Sequence, residues 1–183
     1  MKRFLVAAVL ILSGIIHSAA DSKYILDNGK VCACFAGGDS FRIEEIVMNG
    51  QKIASAGSST FWHITCLGPI GENPTWRPKH GKYQGAVESR EGNISKLTFS
   101  WNLRYDYSGK YYPVRAIVSL PDDADRLFFE LEVDLPEGWI VTSTDYPELS
   151  CTLPEDGKVI TTSGWGVEEP LTPTKISVAY PTV

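Results

Sequence analysis

The sequence predicts an all-β protein, an antiparallel two-sheet β-sandwich, and three observations predict it. Apolar and polar residues alternate with period 2 through several runs, most plainly across residues 97–149. Turn chemistry interrupts the runs at short intervals: Asn49-Gly50, Ser108-Gly109, Pro121-Asp122-Asp123 and Pro136-Glu137-Gly138. Beyond the first 20 residues no segment has the pattern of an ordinary helix.

The N-terminus reads as an address. Lys2 and Arg3 precede an apolar run over residues 4–16, broken by Ser13 and Gly14. Ser18-Ala19-Ala20 then offers the small residues that a signal peptidase reads, with cleavage between Ala20 and Asp21. The run falls short of the roughly 20 apolar residues that a spanning helix needs. A signal peptide over residues 1–20 and one exported domain over residues 21–183, secreted or periplasmic, are expected. Cleavage removes two of the 17 basic residues and none of the 22 acidic ones. The acidic remainder lacks the basic stripe that nucleic acid requires and is not suited to an anionic membrane surface.

Cys32, Cys34, Cys66 and Cys151 are too few for a disulfide scaffold. Cys32 and Cys34 share one face of a strand, with side chains too parallel to bond to each other. Buried thiols, one disulfide to Cys66, or a metal site all remain open; no zinc-ribbon spacing is present.

Strands are expected at residues 24–26 and 31–35, around an Asp27-Asn28-Gly29 turn, and at 41–48. Asn49-Gly50 marks a hairpin that returns Ile53 and Ala54 along Ile46 and Val47. Residues 61–67 form another strand, stopped by Gly68-Pro69.

Residues 68–84 carry three prolines, three glycines, Trp76, His80 and Tyr83, and read as a long loop. Such loops in economical β-domains are often functional. Trp76, flanked by Arg77 and Lys79, suits a sugar platform with donors at its rim; it equally suits a plug at one end of the sandwich. His80 is placed to face a ligand. Then come a turn at Glu91-Gly92-Asn93 and three alternating strands, over 97–103, 112–120 and 127–135, with a fourth beginning at Trp139. The short connections predict an antiparallel meander. Pro147 marks a strand end or edge. Further strands are expected over 158–162 and 175–180. Between them Trp165 stands between two glycines near Glu168 and Glu169, a second aromatic loop. The chain reaches Val183 straight from an apolar run, and we expect the natural protein to continue into another domain.

The order of these features resembles the N-terminal β-supersandwich of large glycoside hydrolases, the galactose-mutarotase-like domain that precedes a catalytic (β/α)8 barrel. The matching stretches are ILDNGKVCACF with its return FRIEEIVMNG, then FWHITCLGP, LTFSW, and VRAIVSLPDDADRLFFELEVDLPEGWIVTSTDYPEL with its corner Tyr146-Pro147-Glu148-Leu149. The nearest likeness is to hydrolase-like families related to α-galactosidases and endo-α-N-acetylgalactosaminidases. The resemblance implies a non-catalytic domain that packs on a downstream catalytic domain and contributes to carbohydrate binding. The family's catalytic carboxylates lie on the barrel, so no catalytic residue carries over to this chain.

The residues alone agree with a non-catalytic role. Glycosidases set two carboxylates about 5–5.5 Å or about 6.5–9.5 Å apart, and adjacent Glu168 and Glu169 do not fit that pattern. A mutarotase needs a tuned histidine acid and a carboxylate base. Outside the leader the histidines are His63, which reads as a structural strand residue, and His80. There is no nucleophile elbow, P-loop or dinucleotide fingerprint, and neither cofactor nor metal is expected. The expected sugar contacts are Trp76, His80 and Trp165. Two other readings stay open: a stand-alone secreted carbohydrate-binding module, and a mutarotase- or epimerase-like enzyme.

Overall fold

The computed structural model describes residues 22–38, 41–55, 60–104 and 110–149, with the backbone of two further strands at 158–161 and 167–170. The signal peptide expected over 1–20, Cys151, Trp165 and the strand expected over 175–180 lie outside the described residues.

The architecture is all-β and antiparallel. The first sheet is β1 (Lys23–Asp27), β2 (Val31–Ala36), β3 (Arg42–Met48) and β4 (Gln51–Ser55), in that order. The Asn49-Gly50 hairpin forms as its sequence requires, with φ of 49° and 78° at the two turn residues. Ile46 pairs with Ala54 and Val47 with Lys52, so Ile53 is bulged out of the ladder.

A second sheet contains β5 (His63–Leu67) between β11 (Ile140–Asp145) and the two-residue β6 (Thr75–Trp76). The third holds the three expected meander strands, β8 (Ile94–Arg104), β9 (Tyr111–Pro121) and β10 (Phe128–Val133), with β7 (Gly81–Glu91) added beside β8. Strands β12 (Lys158–Thr161) and β13 (Val167–Pro170) pair with each other.

Two elements differ from the expectation. The strand after Trp139 does not extend the meander past β10; as β11 it crosses to pair with β5, Ile140 opposite Leu67 and Asp145 opposite His63. The loop expected over 68–84 is shorter, because β7 begins at Gly81 and a 3-10 turn occupies Pro78–His80. The alternation of β7 is hidden by a register shift between Tyr83 and Gly85, where Gly85 has a φ of 112°.

The first two sheets form one layer and the meander the other. Their shared core is aromatic. Phe41 packs against Phe99 at 4.6 Å and Phe61 at 4.5 Å, Phe35 against Phe99 at 5.2 Å, and Trp62 edge-on against Trp101 at 5.5 Å. Leu97, Phe99, Trp101 and Leu103 of β8, with Val114, Ala116, Val118 and Leu120 of β9, are buried at every second position. Each of the larger of these side chains contributes about 1.5–3 kcal/mol by leaving water, and Ala116 less.

One end of the sandwich is tied by a side chain. The Asn28 amide donates to the Pro121 and Ala124 carbonyls, both at 2.8 Å, and its oxygen accepts from the Lys30 and Val31 amides at 3.0 and 2.9 Å. At the other side, Glu148 accepts from the amide and hydroxyl of Thr60, and its own N–H donates to the Phe61 carbonyl at 2.9 Å. That pair of contacts spans Phe61, a fully buried aromatic held at φ 69°. A bulky residue there is conformationally unfavourable and persists only when its surroundings determine it.

Candidate functional site

The outward face of the β11-β5-β6 sheet brings together the most distinctive surface groups. On β5 the buried Ile64 and Cys66 alternate with His63, Thr65 and Leu67, which point away from the core. Register places their neighbours. Asp145 lies opposite His63 and its Oδ2 meets His63 Nε2 at 2.7 Å. Thr65 has Ser143 on one side and Thr75 on the other, the two threonine hydroxyls 3.1 Å apart. Leu67 has Ile140 beside it.

The face therefore grades from polar to apolar. At its apolar end Leu67 is 40% exposed, Ile140 57% and Ile70 86%. Ile70 sits on the turn that ends β5. The Glu72 carboxylate holds that turn by accepting from the Ile70 amide at 3.1 Å, while Gly68 N–H donates to the Glu72 carbonyl at 2.8 Å. Gly68 is required here: a Cβ would lie 2.4 Å from Glu72 Oε2 and 2.8 Å from the Trp139 ring. Behind the patch Trp76 stacks on Trp139 with ring centres 5.7 Å apart and an interplanar angle of 26°. Scattered exposed aliphatics are ordinary on protein surfaces, whereas several on adjoining strands and one turn form a patch of the kind that marks a contact.

The residues expected to touch sugar are placed differently from one another. Trp76 is 7% exposed and its ring is spent on Trp139, the plug-like position that its sequence also allowed. His80 is exposed at the end of the 3-10 turn, where its Nδ1 accepts from the Arg77 amide at 3.1 Å. Partial burial, then the charges of Lys79 and Arg77, hold its pKa below the ordinary imidazole range. Trp165 lies outside the described residues. The structure does not bring His80 to His63, which belongs instead to the Asp145 pair. Sequence reasoning missed that pair and the Leu67–Ile140 contact, because both depend on β11 crossing to β5.

Among the described residues no three His, Cys, Asp or Glu side chains converge as metal ligands. Cys32, Cys34 and Cys66 are free thiols. Burial pushes the Cys66 thiol up to about 11. Cys32 is also raised to about 11, by burial first and then by Cys34 and Asp27.

No family model matches the sequence, and no solved structure matches it. A curated protein of Bacteroides thetaiotaomicron, named "Putative glycoside hydrolase", is 35% identical over 150 residues, which is 81% of this chain. The chain spans 22% of that relative's length. It is thus related to one segment of a much larger protein that carries a glycoside-hydrolase name.

Proposed function

We propose that this chain is a non-catalytic β-sandwich module of an exported glycoside hydrolase, galactose-mutarotase-like in fold. It docks on a catalytic domain of the same polypeptide and contributes to carbohydrate binding from its surface. The observation that carries the reading is the apolar patch of Leu67, Ile70 and Ile140 at one end of the β11-β5-β6 sheet. The relative's name and its much greater length support the choice of partner. Docking there would remove apolar side chains from water, each worth about 1.5–3 kcal/mol when fully buried. The polar half of the face, His63–Asp145 with the Thr65, Thr75 and Ser143 hydroxyls, would form the hydrogen-bonding rim that such interfaces carry.

The test begins with the intact mass of the native exported polypeptide. A mass several times the 20.2 kDa of this chain is expected, and a mass near 20.2 kDa overturns the reading. In the longer protein, Ile70→Asp and Ile140→Asp should lower the melting temperature or the glycosidase activity. Phe128→Asp, at a position on the meander about as exposed as Ile140, should change neither. Equal effects at all three positions would remove the patch from the argument.

A further inference from the structure

A second site lies on the opposite side of the sandwich, at the seam between its layers. There a cavity of about 390 Å³ is lined by Ile25, Leu26 and Asp27 of β1 and by Glu88, Ser89, Arg90, Ser95 and Lys96 of the β7-β8 hairpin. Its volume falls within the roughly 300–1,000 Å³ typical of small-ligand sites. Strand β1 is the edge of the first sheet and β7 the edge of the meander, so peptide groups on the outer side of both edges have no ladder partner among the described residues.

The chemistry of the lining is set by register. Glu88 pairs with Leu97 and Arg90 with Ser95, and Leu97 is a fully buried core residue. Glu88, Arg90 and Ser95 therefore occupy positions that face the opposite layer, where the rest of β8 carries only apolar side chains. Two consecutive core-facing positions of β7 are thus charged. An added strand that closed the seam would have to pack its inner face on Glu88 and Arg90, which is the way sheet edges are protected from strand addition. The same groups suit a hydroxylated ligand.

The cations are already matched. Arg90 pairs with Asp122 and donates to Ser95 Oγ at 3.0 Å, while Lys96 Nζ meets Glu91 at 2.6 Å. The groove presents bound guanidinium and ammonium groups beside carboxylates, not a bare charge that would select a phosphate. Asp27 takes the Gly29 amide at 2.7 Å with one oxygen, and Glu88 enters no ion pair among the described residues. A sugar hydroxyl both donates and accepts, so it can bridge such donor–acceptor pairs. Ile25, 51% exposed, supplies an aliphatic surface for the C–H face of a pyranose ring.

We infer that the β1/β7 seam is a carbohydrate subsite of this module, taking an uncharged pyranoside through Asp27, Glu88 and Ser95 against Ile25. The inference rests on the glycoside-hydrolase reading above and gives it a location. The test uses the native polypeptide and thio-linked disaccharides of the gluco, galacto and manno series, which hydrolases do not cleave. Hydrogen–deuterium exchange should slow in peptides covering residues 23–30 and 85–96 when one series is added. Glu88→Ala, on an exposed side chain, should weaken that binding about tenfold, as the loss of one charge-assisted hydrogen bond would. Its melting temperature should stay that of the parent. Protection confined to residues 68–84, protection by no saccharide, or protection instead by an alternating Thr-Val hexapeptide would each overturn the groove. Loss of the groove in a protein that retains glycosidase activity leaves the module reading standing. Groove protection in a polypeptide with no glycosidase activity overturns the module reading and leaves the groove.

Discussion

Replacing Asn28 by alanine should destabilise the whole sandwich, although Asn28 lies in a turn. Its amide nitrogen makes two 2.8 Å bonds to carbonyls on the β9-β10 connection, and its oxygen receives two amides within its own turn. Alanine deletes all four. Each bond is worth about 0.5–1.5 kcal/mol net. The two long-range ones fall at the upper end, because the partly enclosed Ala124 carbonyl loses its Asn28 donor and the Pro121 carbonyl keeps only the long 3.3 Å bond from the Ala124 N–H; the two turn bonds can be recovered from water at less cost. The expected loss is about 3 kcal/mol, or a fall of roughly 6–12 °C in melting temperature for a chain of this size. Urea unfolding measures it, with a lower midpoint and an unchanged slope. Asn28→Asp gives a second handle. It keeps the acceptor oxygen but aims a carboxylate at two carbonyls, so its folded-state pKa must rise. Stability should then recover as pH falls and the carboxyl regains a proton to donate. A loss under about 0.5 kcal/mol for Asn28→Ala would refute the view that this side chain ties the layers together.

Three further outcomes follow from the same structure. Tyr146 packs on Phe61 and Phe129 and donates to the Ile117 carbonyl at 3.0 Å, so Tyr146→Phe should cost about 1 kcal/mol and Tyr146→Ala about 3–5 kcal/mol in thermal or urea denaturation. Glu148→Ala should cost about 2 kcal/mol, by freeing Thr60 and relaxing the corner that holds Phe61 at positive φ, and Phe61→Gly should not add its full separate cost to it in a double-mutant cycle. Both thiols with raised pKa values are neutral in the fold. Their contribution to stability is intact below the ordinary thiol range and is lost as pH rises towards about 11, and under native conditions a thiol reagent should modify the partly exposed Cys32 well before the fully buried Cys66.

The meander was legible because its strands are neighbours in both sequence and space. The alternation through Leu97, Phe99, Trp101 and Leu103, repeated through Val114, Ala116, Val118 and Leu120, names the buried face without knowledge of what covers it. The Asn49-Gly50 hairpin was legible for the same local reason. β7 was not, since the register shift between Tyr83 and Gly85 breaks its period, leaving Tyr83 and Ala86, three residues apart, on the same face opposite Trp101 and Phe99. The path of β11 was hidden for a different reason. Its partner β5 lies far upstream, and nothing local in residues 140–145 distinguishes a fourth meander strand from a strand that crosses layers. Every feature that depends on that crossing was hidden with it: the His63–Asp145 pair, the Leu67–Ile140 contact, and the burial of Trp76 beneath Trp139.

That crossing also gives the two candidate surfaces their different characters. A meander continued past β10 would have left β5 without its partner on that side and the Phe61–Tyr146 corner unmade. By crossing, β11 carries Tyr146 and Glu148 onto Phe61 and Thr60, and it sets Ile140 beside Leu67 at the end of the sheet. The apolar patch is therefore built on a corner determined from several directions, which suits a surface meant to keep its shape against a rigid partner. The β1/β7 seam has the opposite construction. Its walls come from two sheet edges, held at one end by Asn28 and the Arg90–Asp122 pair, and its core-facing positions are charged instead of apolar. If hydrophobic burial alone had shaped the molecule, the seam would have been the natural place for another strand and the Leu67–Ile140 end for polar residues. The reverse distribution places apolar surface where a domain can cover it and hydrogen-bonding groups where a small hydroxylated ligand can enter.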